Sequence, residues 1–174
     1  RGVPVLPTPK GENVVIITGA GGSGVLLSDA CVDNGLNLMT MPSDLDAAFR
    51  KFIPPFGAAG NPVDITGGEP PTTYQNTVRL GLEDERIHAL ILGYWHTIIT
   101  PPMVFAKVIT EVVQEMRDKG IVKPVVASLA GDVQVEEAAD YLYQHGIVAY
   151  PYSTETPVAV LGAKYKWARA AGLL

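Results

Sequence analysis

Short apolar runs alternate with longer amphipathic stretches along the chain, and that alternation constrains the fold more than any other feature. Val14-Val15-Ile16-Ile17 is β-branched and continuous, as a strand covered on both faces is. Leu36-Asn37-Leu38-Met39, the run from Ile87 to Tyr94, Pro124-Val125-Val126-Ala127-Ser128-Leu129 and Ile147-Val148-Ala149-Tyr150 read as four further strands. Helical spacing lies between them. One helix follows Gly24 and stops at Asn34-Gly35; a second, capped by Ser43, carries Leu45, Ala48, Phe49 and Phe52 up to Pro54-Pro55. A third runs from about Thr72 to Glu83, and a fourth opens at Pro101-Pro102 and closes at Lys119-Gly120. A fifth carries Val135, Ala138, Ala139 and Leu142 to Gly146, and the last has Pro157 in its first turn with Thr154, Thr156 or a nearby residue as cap.

Covered strands in strict alternation with helices predict an α/β fold with right-handed crossovers. The expected architecture is a flavodoxin-like three-layer sandwich with a five-stranded parallel sheet of order 2-1-3-4-5. Residues 1–12, rich in proline, read as a linker, and 13–174 as a single domain. Residues 54–71 form a long Gly/Pro loop, a feature usually functional in a compact domain.

Composition narrows the function classes. The chain has 174 residues, 47% hydrophobic and 18% charged, with a formal net charge of −5. No basic cluster stands out from that acidic balance, so no nucleic-acid partner is expected. The single cysteine, Cys31, excludes an intrachain disulfide framework and a Cys-rich zinc site. No apolar run reaches the ~18 residues of a membrane span, and no signal peptide pattern is present. A cytoplasmic protein without membrane contact is expected. The three histidines, His88, His96 and His145, lack ligand spacing, and no metal site is expected. His88 reads as a strand-edge residue and His145 as a helix-end cation.

Ligands on such sheets sit beyond the carboxyl ends of the strands, near the switch in strand order. Two loops meet that condition. Thr18-Gly19-Ala20-Gly21-Gly22-Ser23-Gly24 follows the first strand and matches G-x-G-x-x-G. Its glycines let an anion approach the backbone, and the following helix offers unpaired N–H groups. No acid ends the second strand to hold a ribose, which disfavours NAD, and no Gly-Lys-Ser/Thr makes a Walker loop. Trp95-His96-Thr97-Ile98 follows the third strand. Thr18, Gly19, Ala20, Gly21, Gly22, Ser23, Gly24, His96, Thr97 and Ile98 are therefore the expected substrate- or phosphate-binding residues. Asn61 and Asp64, flanking Pro62 and Val63, are expected to brace the long loop. No Ser-His-Asp set, carboxylate pair or nucleophile elbow appears, so no catalytic residue is assigned. Lys164, Lys166 and Arg169, near Trp167, read as a solvated helix face.

Thr18-Gly-Ala-Gly-Gly-Ser-Gly-Val-Leu-Leu-Ser-Asp29 and Gly60-Asn-Pro-Val-Asp-Ile-Thr-Gly67 together resemble the NDP-forming acyl-CoA synthetases of the succinyl-CoA synthetase superfamily. So do Lys123-Pro-Val-Val-Ala and Gly146-Ile-Val-Ala-Tyr-Pro. From Lys10 onward the chain is similar to their flavodoxin-like CoA-ligase domain. The resemblance implies one domain of an ADP-forming acid–CoA ligase. Such an enzyme turns a small carboxylic acid, CoA and ATP into acyl-CoA, ADP and phosphate by way of an acyl phosphate and a phosphohistidine. CoA, ATP and Mg would belong to the full enzyme and no cofactor to this domain alone. Its partners would be the CoA-binding, phosphohistidine and ATP-grasp domains.

The family's phosphohistidine segments, Ser-His-Thr-Gly-Ala or Gly-His-Ala-Gly-Ala, do not occur here; Ile98-Ile99 follow His96-Thr97. His96 is therefore not assigned as the phosphoryl carrier. By resemblance, two helices from different domains aim their N-termini at the phosphohistidine, one of them starting at Trp95-His96-Thr97-Ile98. There the family has a Gly-Gly pair in place of His96-Thr97, and its substrate-carboxylate Asn corresponds to Thr18. Two other readings stay open, a non-catalytic interaction module and a nucleotide- or flavin-binding domain of the same fold.

Overall fold

The computed structural model describes residues 2–174. The elements are β1 (Asn13–Thr18), α1 (Gly21–Asp33), β2 (Asn37–Leu38), α2 (Ser43–Phe49), β3 (Val63–Asp64) and α3 (Pro71–Glu83). They continue as β4 (Ala89–Trp95), α4 (Pro102–Asp118), β5 (Val125–Ala130), α5 (Gln134–Gln144), β6 (Val148–Pro151) and α6 (Glu155–Ala170). Every strand pair is parallel, and the sheet runs β2-β1-β4-β5-β6. The five strands of that path keep the expected order; the two-residue β3, absent from the sequence reading, shifts the numbering.

Strand alternation sorts the core onto two faces. Val15, Ile17, Leu90, Leu92, Tyr94, Val125, Ala127 and Leu129 point into one cluster, which α2, α3, α4 and α5 cover. There Tyr94 stacks on Phe105 with ring centroids 4.3 Å apart, and Tyr74 meets Phe105 edge-on at 5.0 Å. Val14, Ile16, Ala89, Ile91 and Val126 point the other way, into a smaller cluster closed by α1 and α6. The layers are thus uneven, four helices against two.

β3 explains the long loop. β1 pairs with β2 through Asn13 and Val14, and with β3 through Ile17 and Thr18, along the same edge. Asn61 fills the gap between the two short partners. Its carboxamide accepts the Ile16 N–H at 3.0 Å and donates to the Val14 and Met39 carbonyls at 2.8 and 3.0 Å. A side chain thereby completes the strand edge and supplies partners to backbone groups that neither short strand reaches.

Several local expectations need correction. Ser43 is the first helical residue and makes no cap; Pro42 takes the N-cap position, and α2 ends at Phe49, one turn before Phe52. At α6 the nearby residue that caps is Ser153, whose Oγ accepts the Thr156 N–H at 3.0 Å, rather than Thr154 or Thr156 itself. The segment expected as a linker is packed, with Leu6 buried in the smaller cluster. Lys164 is buried rather than solvated and lies 4.3 Å from the Trp167 ring centre, while Arg169 grips the Glu12 carboxylate at 2.9 and 2.6 Å. No helix is long and apolar enough to cross a membrane, among the described residues.

Two predictions follow from the edge of β1 and the strand beside it. Asn61→Ala leaves the Ile16 N–H without its partner and takes a donor from the Met39 and Val14 carbonyls, of which Val14 keeps the Met39 N–H at 3.0 Å; a loss of about 1–3 kcal/mol in urea unfolding is expected. Asn61→Asp should do no better, because a carboxylate cannot donate to the two carbonyls. His88 Nδ1 accepts the Asn13 N–H at 3.0 Å. Burial, then the nearby Lys123 ammonium, hold its pKa below the ordinary 6.5, against the pull of Glu12. Below that pH the unfolded chain takes up the proton first, so stability is lost as pH falls through the folded-state value. Denaturation midpoints measured from pH 7 down to pH 5 should drop, and His88→Gln should flatten that part of the slope.

Candidate functional site at the carboxyl ends of the strands

β1 ends in a tight, self-bonded turn. Gly19 N–H donates to the Gly93 carbonyl at 2.9 Å. The buried Thr18 hydroxyl accepts from Ala20 N–H at 3.1 Å and donates to the Ala20 carbonyl at 3.0 Å. Its hydrogen-bonding capacity is thus turned inward on the loop. The glycines permit this crowding. A Cβ on Gly19 would collide with the Tyr74 hydroxyl, and one on Gly93 would lie 2.7 Å from Thr18 Oγ1.

The helix starts earlier than the glycine run suggests, at Gly21 itself, with Ala20 as N-cap. Gly24 N–H closes the first turn on the Ala20 carbonyl, at 3.0 Å. The N–H groups of Gly21, Gly22 and Ser23 have no acceptor one turn back. No acidic residue occupies that first turn and no side chain caps it. The neighbouring carboxylate is Asp64, which reaches the helix end through β3. Its Oδ1 accepts the Thr66 N–H at 2.8 Å, and its Oδ2 lies 2.8 Å from the place a Gly21 Cβ would take. Thr66 adopts φ +65° to make that turn. Gly22 has nothing within 4 Å of its missing Cβ and faces open space.

The second loop differs from expectation. His96, Thr97 and Ile98 do not open a helix, because α4 begins at Pro102. Pro101 and Pro102 hold its N-cap and first position, and prolines supply no N–H and push the preceding residues out of helical geometry. Thr100, just before them, is buried: its Oγ1 donates to the Glu69 carbonyl at 2.9 Å, and its own carbonyl takes the Tyr94 hydroxyl at 2.7 Å. The amino end of α4 is therefore plugged. His96 N–H extends the pairing of β4 with β5 onto the Ala130 carbonyl at 2.8 Å. Its ring meets Asp132, with Nδ1 3.2 Å from Oδ1, and its Cβ packs on Gly131. Thr97 Oγ1 accepts the Thr100 N–H at 3.2 Å, and Ile98 is almost wholly exposed.

An open cleft of about 1160 Å³ runs beside the glycine turn. It is lined by Gly19, Ala20, Gly22 and Ser23 from the glycine turn, by Trp95, Ser128 and Gly131 from the ends of β4 and β5, and by Tyr152, Ser153 and Thr154 from the segment between β6 and α6. The second helix that starts at this cleft is thus α6, not α4. Val25, Leu26, Trp95 and Tyr152 line it while remaining more than half exposed, at 61, 55, 55 and 57%. Sequence reading missed Tyr152, Ser128 and the apolar pair Val25-Leu26. The signal that could have found Tyr152 is its place directly after the last strand; it adopts φ +61° and its hydroxyl donates to Glu136 Oε1 at 3.1 Å. No Lys, Arg or His lines the cleft among the described residues. Burial pushes the Cys31 thiol up to about 12, so it is no nucleophile. Among the described residues no group of three or more His, Cys, Asp or Glu is placed to hold a metal ion.

This chain has relatives among known proteins in both sequence and structure. It is 37% identical over 169 residues to the alpha subunit of acetate–CoA ligase [ADP-forming] I of Pyrococcus furiosus, covering 97% of this chain and 36% of that one. It is 33% identical over 161 residues to acetate–CoA ligase [ADP-forming] of Methanocaldococcus jannaschii, covering 92% of this chain and 23% of that one. Its fold superposes with a TM-score of 0.88, at 34% identity, on the dinucleotide-forming acetyl-coenzyme A synthetase 1 of Ca. Korarchaeum cryptofilum in complex with phosphate and ADP, over 97% of this chain and 35% of that one. The chain spans about a third or less of the length of these relatives. Residues 14–174 match the family described as the Ligase-CoA domain, and the chain belongs to that family.

Proposed function

We propose that this chain is one domain of an ADP-forming acid–CoA ligase, whose overall reaction converts a carboxylic acid, CoA and ATP into acyl-CoA, ADP and phosphate. The observation that carries the reading is the uncapped amino end of α1, where Gly22 and Ser23 border an open cleft. Backbone donors fixed in this way stabilise charge on carboxylate and phosphoryl oxygens without having to reorient. Thr18 serves by holding the turn, and Asn61 and Asp64 by bracing it. His96, Thr97 and Ile98 are not among the cleft's lining residues, and no phosphoryl group is assigned to His96.

The cleft's lack of cationic side chains fits a domain that supplies only part of the site. The phosphohistidine, the CoA site and the ATP-grasp module, with its Mg, belong to other domains of the same cytoplasmic enzyme. The exposed Trp95, Tyr152, Val25 and Leu26 suit a surface that such a domain covers. The same apolar rim also favours a second reading, a module that docks other domains and contributes nothing to the chemistry.

The test joins the chain to its partner domains and follows acyl-CoA formation. Gly22→Ala adds a methyl group into open space and should leave the rate near that of the parent. Gly22→Asp sets a carboxylate on the same N–H groups and should lower it by about 10²-fold or more. If Gly22→Asp folds, assembles and retains full rate, the first reading fails; if it loses only partner affinity, the docking module stands.

A further inference from the structure

The amino end of the sheet, opposite the cleft, holds a cavity of about 360 Å³. Lys10, Leu82, Glu83, Glu85, His88 and Lys123 are among its walls. Lys123 is set apart from the other lysines by its surroundings. Its Nζ donates to the Asp84 main-chain carbonyl at 2.7 Å, and no carboxylate forms an ion pair with it among the described residues. Lys119, by contrast, lies between Glu115 at 2.8 Å and Glu83 at 3.6 Å, and Lys164 is buried beneath Trp167. Lys51, Lys107 and Lys166 are exposed to water.

The charges facing Lys123 come from four segments. Lys10 precedes β1, Glu83 ends α3, Asp84 and Glu85 follow it, and His88 precedes β4. The Asp84 carboxylate is already gripped by Arg86, at 2.9 and 2.6 Å. Burial outweighs the attraction of Asp84 and Glu85, Lys10 adds repulsion, and the Lys123 ammonium is pushed down to about 8.

We propose that Lys123 is an acylation site, its ε-amine at the cavity wall taking the acyl group from an acyl phosphate or an acyl thioester. A neutral amine that donates one hydrogen to Asp84 keeps its lone pair free for attack. The Nζ–C bond forms at the acyl carbonyl carbon as the C–O bond to phosphate, or the C–S bond, breaks. The leaving phosphate or thiolate departs with the electron pair, and the nitrogen loses one proton to solvent. The resulting amide N–H can still donate to Asp84, and the cavity has room for a small acyl group. The chemistry stands apart from the ligase reading, which adds only that the enzyme's own product is the donor.

At pH 7.5 the Lys123 amine is roughly a quarter neutral, against about 0.1% for an ordinary lysine. Lower basicity takes back part of that advantage, as it does for thiols, leaving about a tenfold gain. The test treats the native chain with limiting acetyl phosphate and follows each lysine by peptide mass spectrometry. Lys123 should be acetylated about tenfold faster than Lys51, Lys107 and Lys166, with a rate that levels off above about pH 8. In denaturant the preference should vanish. A Lys123 rate no higher than that of the exposed lysines, or one that climbs with theirs to pH 10, overturns the proposal, as does a preference that survives unfolding. Lys123→Arg should leave labelling of the other lysines unchanged. Labelling by acetyl phosphate supports the site even where the assembled ligase forms no acyl-CoA, so the two readings fail separately.

Discussion

The edge of β1 is the constraint on which the rest of the molecule depends. One six-residue strand must satisfy two short partners, β2 and β3, along a single side, and neither reaches the other. The Asn61 carboxamide closes the interval because it can accept one N–H and donate to two carbonyls at once. That junction pins the long Gly/Pro loop to the sheet. It sets β3 in register with Ile17 and Thr18, and so brings Asp64 to the amino end of α1. The site is thus positioned by a side chain standing in for backbone.

The two strand ends nearest the switch in strand order have opposite chemistry. After β1, glycines let the helix begin at once, uncapped, with Gly22 and Ser23 beside the cleft. After β4, Pro101 and Pro102 remove donors, and Thr100, Tyr94 and Glu69 seal the helix end with hydrogen bonds of their own. The free helix-end donors therefore lie on one side of the switch only. Those donors are backbone dipoles without a cationic side chain among the lining residues, so under the proposed ligase reading a fully charged phosphoryl group would draw further positive charge from another domain.

Much of the fold was legible because its signals are local or periodic. Val14-Val15-Ile16-Ile17 reads as a doubly covered strand, and Asn34-Gly35 and Gly146 stop their helices as expected, with Gly35 and Gly146 at positive φ. β3 was not legible. It has only two residues, and it counts as a strand solely because β1 lies beside it. The burial of Lys164 was hidden for a similar reason: a lysine next to Trp167 reads as solvated until the neighbouring elements cover its stem. In the site, the glycine turn announced itself, whereas Tyr152 and Ser128 did not, since nothing in their immediate neighbours says that their strand ends face the same cleft.

The sequence by itself determined the element types, their parallel alternation and the glycine turn that leaves α1 uncapped. These follow from hydrophobic period and backbone sterics, which act within a few residues. Only the tertiary structure decided that Asn61 completes a strand edge, that α6 rather than α4 opens onto the cleft, and that Lys123 faces a cavity with a lone carbonyl acceptor. Each of these joins segments far apart in the chain, and burial and hydrogen-bond partnership are properties of the surroundings rather than of the residue.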